Sequence, residues 1–159
     1  MIFVTLGSQK FQFNRLLKYI DQLIEENIIK EKVFAQIGYS DYIPKNFGYK
    51  NFLSREEFVS QMVVCSKVIT HGGTGAIVTA LKNEKKVIAM ARIAKFGEHV
   101  DDHQLQIVEE FRKLNFILSI SFKEEIVGAL ELIDEVKLET YLSSTKQVIA
   151  SIDNFIENI

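Results

Sequence analysis

A chain of 159 residues, 47% hydrophobic and 25% charged, can fill one core and is short for a second domain. Its 19 basic and 21 acidic side chains leave a formal charge of -2, which excludes the strongly basic surface of a general nucleic-acid binder. No run approaches the roughly 20 consecutive apolar residues of a membrane-spanning helix. With one cysteine and no signal peptide visible at the start, the expected setting is a reducing cytoplasm.

The chain opens on an apolar run, Ile2 to Leu6, which predicts a strand, and continues into the turn Gly7-Ser8-Gln9. Phe13, Leu16, Leu17, Ile20, Leu23, Ile24 and Ile28 then recur at helical spacing. A second strand is predicted at Val33 to Ile37. Tyr39 to Ser54 holds the only proline, Pro44, and reads as a loop leading into a short strand around Tyr49 to Leu53. Phe58, Met62 and Val63 suggest a helix, and Cys65 after them a small core residue rather than a nucleophile. Strand Val68 to Thr70 meets the glycine-rich stretch His71 to Gly75, and a helix carrying Ile77, Ala80 and Leu81 follows. Strand Val87 to Met90, a polar block from Arg92 to Gln104, a helix with Leu105, Ile107, Val108, Phe111 and Leu114, and strand Phe116 to Ile120 complete the alternation. Two helical patterns, Lys123 to Val136 and Thr145 to Ile156, end the chain; the apolar face of the second can close the core or dock on another chain. No repeat or linker interrupts this order, so residues 1–159 are expected to form one domain.

Strand and helix in alternation predict an α/β fold: a single Rossmann-like domain with a mainly parallel, open sheet flanked by helices and joined by right-handed crossovers. Runs of consecutive apolar residues suit strands covered on both faces. Ligands of such sheets bind beyond the carboxyl ends of the strands, and three polar features fall on that edge.

The first is Gly7-Ser8, where glycine permits close approach and serine offers a hydroxyl; an ordinary turn explains it equally well. The second is His71-Gly72-Gly73-Thr74-Gly75, where bare backbone meets a helix start. Free amides there attract an anion, Thr74 can cap the helix or bond a phosphate, and His71 can donate to a phosphate oxygen. The dinucleotide pattern G-x-G-x-x-G would need glycine at Val78, and a P-loop would need a lysine and hydroxyl pair after the last glycine; neither is present. The third is the block holding Arg92, Lys95, Glu98, His99, Asp101, Asp102, His103 and Gln104. A solvated loop with Asp101 or Asp102 as helix cap is the plain reading. His99 and His103 lack the glutamate of an HExxH zinc motif, so no metal is expected.

GSQ after the first strand, HGGTGA after the middle one and KFGEHVDDHQ before the next helix together resemble the carboxyl-terminal, donor-binding half of GT-B glycosyltransferases of the family-28 type. The short subunits of two-chain transferases in bacterial capsule and exopolysaccharide synthesis are similar, as are the catalytic subunits of the eukaryotic dolichol-linked N-acetylglucosaminyltransferases. The resemblance implies a hexosyltransferase with a UDP-sugar site and no cofactor. Gly7, Ser8 and His71 to Gly75 would face the diphosphate, and Gln104 would bond sugar hydroxyls. Glu98, His99, Asp102 and His103 would line the sugar pocket, while Arg92 or Lys95 would offset phosphate charge. His99 or Glu98 is the catalytic base if this chain carries one. Otherwise a membrane-anchored partner subunit, presenting a lipid-diphosphate sugar at the inner face of the membrane, supplies it. Two departures stand out: Thr79 replaces a ribose-binding glutamate, and Leu105 a second glutamine. A non-catalytic nucleotide-sugar-binding module that regulates a transferase is the alternative.

Overall fold

β-Branched and aromatic residues on consecutive positions favour extended backbone that is buried on both sides. In the computed structural model, which describes residues 1–142, these runs become strands β1 (Ile2–Thr5), β2 (Val33–Gln36), β3 (Gly48–Lys50), β4 (Lys67–His71), β5 (Lys86–Met90) and β6 (Leu118–Ile120). All five pairings are parallel, in the order β3-β2-β1-β4-β5-β6. Every residue of β1 and β4 is buried.

Helices α1 (Asn14–Glu25), α2 (Arg55–Val64), α3 (Thr74–Lys82), α4 (His103–Lys113) and α5 (Lys123–Glu135) cover the two faces. Leu16, Leu17, Ile20 and Leu23 of α1 share a cluster with Ile126 and Ile133 of α5 and with Ile2, Val4 and Ile69 of the sheet. Met62 of α2, Ile77 and Ala80 of α3 and Val108 of α4 meet Phe3, Val68 and Val87 on the other face. Alternate strand residues therefore feed two separate cores. Cys65 lies in the second, 2% exposed, with its thiol pushed up by burial, as expected of a core residue.

Strand order reverses between β1 and β4, where Thr5 stands beside Thr70. Chain leaves these neighbours in opposite directions, so a crevice opens at their carboxyl ends. Boundaries shift where polar residues end the runs. β4 gains Lys67 and His71, both buried despite their chemistry. β3 ends at Lys50 instead of Leu53, because Ser54 caps α2 in a reciprocal box with Glu57 and draws the preceding residues out of the sheet. Phe116 and Ile117 precede β6, since α4 ends in a turn through Asn115 at φ +56°. The pattern Thr145 to Ile156 lies outside the described residues.

Candidate functional site

His71, the last residue of β4, is 7% exposed at the crevice floor. Its Nδ1 lies 3.4 Å from the Thr5 carbonyl oxygen, which also accepts from Thr70 Oγ1 at 2.9 Å. Burial, reinforced by the nearby Arg92 charge, lowers the imidazole to about 4, so it is neutral at pH 7. The ring sits between two glycines. A Cβ on Gly73 would stand 2.3 Å from His71 Nε2, and one on Gly7, at φ +74°, 2.7 Å from His71 Cε1. On Gly72 it would meet Gln104 Cβ and Val108 Cγ2 of α4, both at 2.9 Å. Glycine is thus needed at these positions for packing. Gly75 alone in the stretch has no atom within 4 Å of its missing Cβ.

Helix α3 starts at Thr74 with Gly73 as N-cap and no side-chain cap, so the Thr74 hydroxyl does not perform the capping the sequence allows. The first amides bonded back are those of Ala76 and Ile77, both to the Gly73 carbonyl at 3.1 Å. Among the described residues, the N–H groups of Gly73, Thr74 and Gly75 have no protein acceptor. They open on a cleft of about 480 Å³ lined by Gly7, Ser8, His71 to Gly75, His99, His103 and Gln104. Ten of the sequence-derived site residues therefore come together at the switch point.

Arg92, Lys95, Glu98 and Asp102 do not line it. Arg92 is fully buried beneath the β1–α1 loop: its Nη2 donates to the carbonyls of Leu6 at 2.7 Å and Phe11 at 3.2 Å, and its guanidinium lies over the Phe13 ring. Burial depresses it to about 10, partly offset by Glu98, and it stays charged. Lys95 is exposed, with Nζ 4.8 Å from the Phe96 ring centre. Glu98, 1% exposed, accepts from Arg15 Nε and Nη2 at 2.9 and 2.8 Å and from the Ile93 amide at 2.9 Å. A carboxylate so fully engaged is a brace between α1 and the polar block, not a free base. Asp102 accepts from the Ala94 amide, and Asp101 performs the capping instead, accepting from the His103 amide at 3.1 Å. Gln104 spends its carbonyl oxygen on the amides of Gly72 and Arg92, at 3.1 and 3.2 Å, leaving only its NH₂ for a ligand.

Sequence reasoning passed over Gln36, Phe58 and Arg15. Gln36, at the carboxyl end of β2, donates to the Gly7 carbonyl at 3.3 Å and accepts from the Leu53 amide at 3.2 Å, joining two loops at the cleft. A polar residue closing an apolar run on the ligand edge is a readable signal. Phe58 lines the cleft from α2, and Arg15 holds Glu98 from α1; neither carries a sequence mark beyond helical spacing. At the rim, the His99 ring, packed against Phe11 with centroids 4.8 Å apart and planes tilted by 41°, and the His103 ring both direct Nδ1 at Asp101 Oδ1, at 3.1 and 3.2 Å.

A doubly covered parallel sheet of this order, with unclaimed helix amides beside a cleft at its switch point, defines an open α/β domain of the Rossmann-like class. The chain belongs to the glycosyltransferase family 28 C-terminal domain family, whose model matches residues 1–159. Over 57 residues, 36% of this chain and 18% of the other, it is 37% identical to the UDP-N-acetylglucosamine transferase subunit ALG13 of Candida albicans. The solution structure of an ALG13 superposes with TM-score 0.56 at 16% identity, covering 95% of this chain and 93% of that one. The glycosyltransferase SnogD from Streptomyces nogalater superposes with TM-score 0.53 at 17% identity, and the kitacinnamycin glycotransferase with 0.55 at 18%. This chain covers 39% and 34% of those two, respectively. The GT-B resemblance carried by GSQ, HGGTGA and KFGEHVDDHQ is borne out, and the single-domain Rossmann-like fold with it.

Proposed function

We propose that the chain is the donor-binding subunit of a UDP-sugar-dependent glycosyltransferase that works with a membrane-anchored partner on a lipid-diphosphate-linked acceptor, in capsule or exopolysaccharide synthesis. The observation that carries the reading is the trio of unclaimed amides at Gly73, Thr74 and Gly75, opening on a cleft that has room for a nucleotide diphosphate. Departure of the diphosphate builds negative charge, and donors fixed before the reaction stabilise it without reorganising. Ser8 and Gln104 line the same space.

An inverting transfer also needs a base for the acceptor hydroxyl. Glu98 is held by Arg15, so His99, which lines the cleft, is the one of the two suggested bases left on this chain; otherwise the base comes from the partner, which closes the cleft from the acceptor side. The family match, to a C-terminal domain of glycosyltransferases, supports the transferase reading. Calorimetric titration with UDP and UMP tests the donor site: a diphosphate-reading cleft binds UDP about tenfold or more tightly than UMP. Equal affinities, or no binding of either, would remove the reading.

A further inference from the structure

Among the described residues no lysine or arginine lines the cleft, because Arg92 is turned beneath the β1–α1 loop and Lys95 toward Phe96. A helix start contributes about half a unit of positive charge, a partial match for a diphosphate. Across the cleft stand His99, Asp101 and His103, whose ligating atoms all lie within 4.8 Å of one another. Both imidazoles are cleft-lining residues. The His99 side chain is 8% exposed, and its Nε2 has no hydrogen-bond partner among the described residues.

From Asp101 Oδ1 to the two Nδ1 atoms the separations are 3.1 and 3.2 Å. Ligands bound at about 2.1 Å to one divalent ion stand about 3.0 Å apart along an octahedral edge and about 3.4 Å along a tetrahedral one. We propose that His99, Asp101 and His103 form a binding site for a first-row divalent transition ion, with open coordination positions facing the cleft. Two imidazole nitrogens with one carboxylate oxygen select zinc-like or manganese-like ions over magnesium and calcium, which prefer all-oxygen sets. The site is partly organised in advance: the Phe11 ring packs at a tilt against His99, the first turn of α4 positions His103, and the His103 amide holds Asp101. A bound ion places on the rim the positive charge that the lining side chains lack. That it meets phosphate oxygens rests on the UDP-sugar reading; that it binds does not. The assignment departs from the expectation of no metal, because spacing along the chain does not reveal that Asp101 completes the set.

The test is calorimetric titration of the untagged chain, stripped with chelator, with Zn²⁺ and Mn²⁺, with Mg²⁺ as control. One equivalent of Zn²⁺ is expected, with affinity falling about tenfold or more in Asp101→Asn and in His103→Ala. Glu109→Gln, which alters an exposed carboxylate of α4 paired with Arg112, should bind as the parent does. Cobalt substitution adds a visible spectrum that the two ligand variants lose. Absence of Zn²⁺ binding, or equal binding by all variants, overturns the site and leaves Asp101 as a hydrogen-bond acceptor for two imidazoles. UDP titrated with chelator and with Zn²⁺ separates the readings: tighter UDP binding with Zn²⁺ in the parent but not in His103→Ala supports the phosphate link. Zn²⁺ binding without any UDP binding keeps the metal site and removes the donor reading.

Discussion

Gly73 and Gly75 are two positions apart and do opposite work. Gly73→Ala drives a methyl group to 2.3 Å from His71 Nε2, so the ring or the start of α3 must shift. A loss of about 2 kcal/mol, or roughly 4–8 °C in Tm, is expected. Gly75→Ala meets open space and gains helix propensity, so stability should hold or rise by up to about 1 kcal/mol, about 2–4 °C in Tm, while UDP binding weakens. Thermal melts with and without UDP read both outcomes. His71 itself carries a pH signature. Its folded value of about 4 lies below the ordinary 6.5, so the unfolded chain takes up a proton that the folded one refuses. Above pH 6.5 both states are neutral and nothing is lost; between 6.5 and 4 stability declines, by about 3 kcal/mol at most. His71→Gln cannot titrate, and its urea-derived stability should fall less steeply over that window than the parent's.

Helix α1 shows how one element organises distant chain. Its inner face supplies Leu16, Leu17, Ile20 and Leu23 to the core, as periodicity indicates. Two polar residues of the same helix fix the loops around it. Arg15 clamps Glu98, and buried Asp21 accepts from Tyr42 Oη at 2.7 Å and from the amides of Lys45 and Asn46 at 2.9 and 2.8 Å. Burial pushes the Asp21 carboxyl up, but these hydrogen bonds outweigh it and hold it below the ordinary range. Asp21→Ala strands those donors and should cost about 2–4 kcal/mol by urea denaturation. Tyr42, raised to about 12 chiefly by its hydrogen bond to Asp21, should then ionise nearer 10, visible as an extra phenolate in alkaline absorbance titration. Periodicity makes α1 legible as a helix. It does not say that Asp21, in sequence only a polar residue among apolar ones, anchors the loop before β3.

At the scale of the molecule the parallel sheet separates stability from ligand chemistry. Strand β4 begins with Lys67 and ends with His71, about 13 Å apart along the strand. At its amino end Lys67, 8% exposed, contacts Glu31 at 2.5 Å and Asp134 at 2.8 Å, tying the β1–β2 connection to α5. Lys67→Met leaves two partly exposed carboxylates without their shared cation and should destabilise the fold by about 1–3 kcal/mol. UDP affinity, decided at the opposite edge, should be unchanged within error. An equal loss of affinity would show that the two ends are coupled.

Much was set by the sequence alone. Consecutive apolar runs alternating with helical spacing determine a doubly covered parallel sheet, and parallelism sends the turn after β1, the glycines after β4 and the block after β5 to one edge. These signals are local, because backbone periodicity and burial are written within a few residues of one another. Tertiary structure decided which of those side chains face the cleft. Arg92 and Glu98 carry the right charges in the right block, yet one is buried under Leu6 and Phe11 and the other is claimed by Arg15, 83 residues away. The glycines that suggest room for phosphate make room instead for an imidazole and for α4, leaving Gly75 as the open one. A hydrogen-bond partner brought in from a remote segment has no periodicity of its own, so only packing reveals it.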